Sequence, residues 1–175
     1  MVGLMNIADH IRIIPNFPKP GINFYDIATL LAHPQAWRST IEQLEARLAR
    51  YQPDMLMGIE SRGFLVAAPL AMAMGCGFGM VRKKGKLPGK TMSYRYTLEY
   101  GQDEIEIQPD LIKPGSNIVL VDDLLATGGT MAAAAHLIEQ AGSQVAAGLC
   151  IIELEGLNGR QTFGRPFEAL LHCPA

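Results

Sequence analysis

The amino-acid sequence predicts an α/β fold: a twisted, mainly parallel sheet with helices on both faces, plus a β-hairpin hood. Three observations point there. Short apolar runs alternate with longer stretches of helical period, the pattern of strands joined through helices. Two of those runs end in charged residues and then a small-residue turn: Ile118 to Val121 runs into Asp122-Asp123, and Met55–Ile59 runs into Glu60-Ser61-Arg62-Gly63. Residues 94–107 instead show two period-two alternations flanking Gly101-Gln102-Asp103, as a hairpin would.

Each element has its own reason. Residues 15–21, PNFPKPG, hold three prolines and a glycine, so they form a rigid, non-helical lead-in. His33-Pro34 opens a helix in which Trp37, Ile41, Leu44 and Leu48 share one face. Residues 63–74 read as an apolar helix ended by Gly75 and Gly77, with a short strand at 78–81. In the hairpin, Tyr94, Tyr96, Leu98 and Tyr100 alternate along one strand. Ile105 and Ile107 alternate with Glu104 and Glu106 along the other. A strand at 118–121, a helix at 129–141, a strand at 145–152 and a last strand at 167–171 complete the pattern.

The 175 residues suffice for one domain with a full core, here 1–175, with 82–110 as a flexible lid. Fifteen basic residues against 17 acidic ones argue against a general nucleic-acid or membrane-surface binder. Cys76, Cys150 and Cys173 are odd in number and lack metal-ligand spacing, which suits a reducing compartment. Asp9, His10 and Arg12 come too early for a signal peptide, and no apolar run is long enough to span a bilayer. A cytoplasmic protein is expected.

The chemistry gathers at strand ends. VLVDDLLATGGT, residues 119–130, delivers two carboxylates to the carboxyl end of a strand. Adjacent acids repel unless hydroxyls, a cation or ligand groups compensate. In Ala126, Thr127, Gly128, Gly129 and Thr130 the glycines let backbone amides approach an anion. The helix that follows adds its N-terminal dipole. Arg62 lies at the start of a second such helix and suits a second anion. Five of the 15 basic residues, Arg82, Lys83, Lys84, Lys86 and Lys90, fall within nine positions beside a Gly/Pro loop, as in a lid over a polyanion. Glu99, flanked by Leu98 and Tyr100, is a candidate proton-transfer group.

VLVDDLLATGGT resembles the phosphoribosyl-pyrophosphate (PRPP) motif of type I phosphoribosyltransferases. PNFPKPG at 15–21, GIESRGF at 58–64, RKKGKLPG at 82–89 and LEYG at 98–101 resemble the adenine-specific branch of that family, in the same order. The resemblance spans about residues 10–172, nearly the whole chain. It implies the type I phosphoribosyltransferase fold and transfer of phosphoribosyl from PRPP to adenine N9, giving AMP and pyrophosphate. It implies that Asp122 and Asp123 hold the ribose hydroxyls and that residues 126–130 cradle the 5-phosphate. Glu60, Ser61 and Arg62 meet the pyrophosphate, across a turn that in this family often holds a non-proline cis peptide, and Arg82 and Lys83 approach it. Glu99 and Arg62 are the implied catalytic groups. Residues 10–30 form a base-binding hood in which Ile22, Asn23, Phe24 and Tyr25 hold adenine, with Leu124 on its other face. Tyr25 departs from the arginine common at that position. Mg²⁺ is expected to ride on PRPP without dedicated protein ligands, and a homodimer is expected. The alternatives are another purine base, such as hypoxanthine or xanthine, or a PRPP-binding regulator. The regulator would need a DNA-binding segment, and the first 20 residues are short and not basic.

Overall fold

The computed structural model describes residues 5–98 and 101–175, with Leu98 described by its backbone alone. Its centre is one sheet in the order β10-β9-β7-β3-β4-β6-β5. Strands β3 (Met55–Ile59), β4 (Gly77–Lys83), β7 (Asn117–Val121), β9 (Gln144–Glu155) and β10 (Phe167–Pro174) run parallel. Strands β5 (Met92–Leu98) and β6 (Gly101–Ile107) form the antiparallel end. A two-residue strand, β8 (Leu124–Leu125), pairs with β9.

Side-chain alternation divides the core. On one face, Val119 and Val121 of β7 and Leu56 of β3 pack with α2 (Pro34–Leu48) and α3 (Arg62–Met74) through Leu44, Leu48, Val66 and Leu70. On the other, Ile118, Leu120 and Met57 pack with α4 (Gly129–Gln140) through Met131, Leu137 and Ile138. A strand buried on both faces must be apolar throughout, and 118–121 is. His33 caps α2 by accepting a hydrogen bond from the Ala36 amide at 3.2 Å, and Pro34 takes the first helical position. Gly75 ends α3 in the left-handed conformation, whereas Gly77 already belongs to β4.

The N-terminal lead-in holds a separate two-stranded sheet that the prolines masked. Strand β1 (Arg12–Pro15) pairs with β2 (Asn23–Asp26), and Arg12 forms an ion pair with Asp26. A one-turn helix, α1 (Ala28–Leu31), follows.

The hairpin differs from the sequence expectation in two ways. Gly101, Gln102 and Asp103 are not its turn; they lie in β6, paired with Leu98, Thr97 and Tyr96. That register places Met92, Tyr94 and Tyr96 on the same face as Ile105 and Ile107. A slip would send the apolar set to solvent. The hairpin also does not project freely, because β6 continues the central sheet beside β4 and the apolar face packs on α4. The Tyr94 ring lies 4.2 Å from that of His136. Glu106, expected on the solvent side, is 1% exposed. It accepts the amides of Lys86 and Leu87 at 2.9 and 2.8 Å. Burial would raise its carboxyl, but bonds from the amides of residues 85–87 and the Thr91 side chain hold it below its ordinary value. A carboxylate thus organises the start of the basic loop from beneath.

Candidate active site

Two parallel strands, β3 and β7, release their chains at the same edge of the sheet, as open α/β sheets do at a binding crevice. Gly63 lets them meet: a Cβ there would lie 2.7 Å from the Val121 carbonyl oxygen and 3.1 Å from Asp122 Oδ1. The Glu60-Ser61 turn therefore sits directly against the acid pair. The Glu60–Ser61 peptide is cis, as the resemblance anticipates.

Three cavities adjoin, and Asp122 lines all of them. The first, about 120 Å³, is formed by Leu124, Leu125 and residues 126–131. No amide from Ala126 to Met131 finds an acceptor among the described residues. These donors, at the mouth of α4 and without a neutralising side chain, constitute an anion cradle. Gly128 adopts φ +81°, which turns the loop into the helix. The second cavity, also about 120 Å³, lies between Glu60, Arg82, Lys83, Ile105 and Thr130. The third, about 410 Å³, is bounded by Phe24, Glu60, Ser61, Arg62, Asp123 and Leu124.

The acid pair is under electrostatic load. Asp123 is 3% exposed, and its Oδ2 accepts no hydrogen bond among the described residues. Arg62 Nε lies 3.0 Å from that oxygen, an ion pair without hydrogen-bond alignment. Burial raises the Asp123 carboxyl, with Arg62 acting in the opposite sense. Burial, and then the Asp123 charge, raise Asp122 well above the usual carboxylate range. Such a pair is relieved by a proton or by ligand groups that donate to it. Sugar hydroxyls or a hard cation meet that demand.

Glu60 is the opposite case. Burial raises it, but hydrogen bonds from Lys86 Nζ at 2.6 Å, the Lys83 amide at 2.8 Å and Arg82 Nε at 3.3 Å win and hold it at about 2. The ordinary value is 4.5, so its stabilisation is complete above that pH and disappears as pH falls toward 2. Glu60→Gln should therefore cost thermal stability near neutrality and progressively less in acid. A Tm gap between wild type and variant that is unchanged from about pH 6 to about pH 3 would rule this out.

The structure sorts the other expected residues. Phe24 and Leu124 both line the large cavity. The Phe24 ring carries the Arg62 guanidinium 5.0 Å from its centroid and the Phe17 ring at 5.1 Å. Ile22 and Asn23 are exposed and do not line the cavity. The Tyr25 side chain does not line the cavity. Alternation along β2 turns its phenol into the core, where it is 6% exposed and donates to the Pro174 carbonyl at 2.8 Å. Lys84 pairs with Glu104 on the hairpin rather than facing the second cavity. Lys83 lines that cavity but is paired with Asp103. Glu99 lies outside the described residues.

Some contributors carried no motif. The Tyr96 hydroxyl meets Thr130 Oγ1 at 3.0 Å and donates to Asp103 at 3.2 Å, linking the hairpin to the loop at 126–130. Gly159 abuts the back of that loop. Asn158-Gly159 signals a turn in the sequence but nothing about what it touches.

Comparison with known proteins shows the family. The model of the family described as phosphoribosyl transferase domain matches residues 26–156. An adenine phosphoribosyltransferase of Rhodospirillum centenum is 61% identical over 167 residues, covering 95% of this chain and 98% of its own. One from Acidiphilium cryptum is 57% identical with the same coverage. The crystal structure of adenine phosphoribosyltransferase from Thermoanaerobacter pseudethanolicus has TM-score 0.92 at 45% identity, covering 95% of this chain and 98% of that one. The Saccharomyces cerevisiae enzyme, solved with an imino-altritol bisphosphate and adenine, has TM-score 0.89 at 40% identity, covering 94% and 96%. The chain belongs to the phosphoribosyltransferase family and is similar, over nearly its whole length, to the adenine phosphoribosyltransferases.

Proposed function

We propose that this enzyme transfers the phosphoribosyl group of PRPP to N9 of adenine, releasing AMP and pyrophosphate. One observation carries the reading: Asp122 lies at the junction of an anion cradle, a charged cavity that holds Arg82 and Lys83 beside Glu60, and a cavity walled by Phe24. PRPP has a phosphate, a diol and a pyrophosphate to match the first two and the acid pair. The base enters the third cavity between Phe24 and Leu124.

The 5-phosphate docks on the free amides of residues 126–131. The ribose hydroxyls donate to Asp122 and Asp123, filling the orphaned Oδ2. Adenine N9 then attacks C1 as the C1–oxygen bond to pyrophosphate breaks, with inversion, and the N9 proton passes to a general base, the role proposed for Glu99. Charge grows on the leaving group, and Arg62, Arg82 and Lys83, which line the two adjoining cavities, are the cations available to offset it. The Asp122 and Asp123 oxygens would suit a hard cation such as Mg²⁺ carried by PRPP, and its positive charge would stabilise the departing pyrophosphate.

A homodimer is part of the proposal. Helix α3 exposes Leu65 and Met72, at 48% and 84%, seven residues apart on one face, and Phe78 of β4 is 36% exposed. Exposed apolar side chains of this kind suit a second copy. Light scattering that gives a monomer mass would refute it.

The test of activity is a base panel. With PRPP and Mg²⁺, adenine should give AMP at least about tenfold faster than hypoxanthine or xanthine, and EDTA should abolish turnover. Equal or faster hypoxanthine turnover would overturn the base assignment.

A further inference from the structure

Behind the phosphate loop lies a short helix, α5 (Gly159–Phe163), that faces none of the three cavities. Its first residue touches the loop backbone to backbone. A Cβ on Gly128 would fall 2.3 Å from the Gly159 carbonyl oxygen, and a Cβ on Gly159 would fall 2.3 Å from the Ala126 carbonyl oxygen. Both positions thus exclude any side chain, and the loop is pressed against α5 at two points.

That contact can hold the loop only if α5 is itself held. Arg160 does so. Its Nε donates to both carboxylate oxygens of Glu153, at 2.8 and 2.7 Å, and its NH1 donates to the Phe167 carbonyl at 2.6 Å. Its guanidinium lies 5.4 Å from the centroid of the Phe167 ring. Glu153 is in β9 beside Leu125, the residue just before the loop, and Phe167 begins β10. Arg160 therefore ties α5 to β9, which pairs with the strand leading into the loop, and to β10 beside it. At the far end of α5, Phe163 is 1% exposed and packs on Phe167.

The loop has reason to need this support. Its amides from Ala126 to Met131 have no acceptors among the described residues, and only the Gly128 carbonyl, accepting from the Ala132 amide at 2.9 Å, ties the loop backbone to the helix that follows. An amide cradle binds anions well only when preorganised, because each donor must already point inward. We infer that Gly159 and Arg160 are positioning residues for the 5-phosphate of PRPP, acting through the backbone of residues 126–128. This rests on the reading of that loop as the 5-phosphate site.

The experiment compares two fragments of the substrate. Isothermal titration of Arg160→Ala, Arg160→Lys and Glu153→Gln with ribose 5-phosphate and, separately, with pyrophosphate distinguishes a local role from a global one. Ribose 5-phosphate should bind about 5- to 20-fold more weakly to Arg160→Ala, and pyrophosphate within about twofold of wild type. Arg160→Lys, which cannot span both partners, should fall between, and KM for PRPP should rise while KM for adenine does not. Gly159→Ala should give the largest loss, and if it does not fold the Arg160 series still decides. Equal losses for both fragments would show a merely structural residue, and no loss for either would show no role; each overturns the inference. A wild-type protein that binds ribose 5-phosphate but makes no AMP would refute the proposed activity while leaving the inference standing.

Discussion

Asp123→Asn is expected to lower kcat/KM for PRPP by about 10- to 150-fold, the worth of a hydrogen bond to a charged group. The same variant should melt at an equal or higher temperature than wild type. Burial raises both carboxyls, and the Asp123 charge raises Asp122 further, so the ligand-free protein is more stable with a proton on the pair. That stability is present at low pH and is lost as pH rises through the folded value. Removing one charge removes the penalty, and the Tm advantage of the variant should grow with pH. Wild-type kinetics would take Asp123 out of the site. A loss of both activity and Tm would mean that its ion pair with Arg62 outweighs the repulsion.

Gly63→Ala should be damaging for a different reason. Its Cβ would press on the Val121 carbonyl at 2.7 Å and on Asp122. Overpacking of this sort costs about 1–3 kcal/mol, a fall of about 3–8 °C in Tm at this chain length. Because the displaced atoms belong to Asp122 and its strand, kcat/KM for PRPP should fall at least about tenfold, well beyond any loss of folded protein. Alanine is the better helix former, so a variant with wild-type Tm and kinetics would show that the two strand ends do not meet as described.

Much of the site was legible because its parts are local. Apolar runs at 55–59 and 118–121 identify buried strands, and the residues that follow them must emerge at one edge. The acid pair, the glycine-threonine loop and Arg62 are each contiguous with a strand or helix end. Local sequence places them, and the resemblance agrees. The hairpin turn was misplaced because glycine at 101 is an ordinary turn signal, whereas the register is set by Tyr94, Tyr96 and Ile105 packing on α4. Tyr25 sat among pocket candidates because neighbours in sequence point to opposite faces in a strand.

The order of residues alone was enough to establish the parallel α/β class, the two charged strand ends and a ligand carrying anionic groups, to which the family resemblance added PRPP and adenine. Periodicity and short motifs encode those, and both are read over a few residues. Contacts between distant segments had to wait for the folded chain. They include Tyr96 against Thr130, Glu106 beneath the basic loop, Gly63 against Val121 and Gly159 behind Gly128. Each depends on packing across tens of residues, where a glycine or a carboxylate carries no sign of the partner it meets.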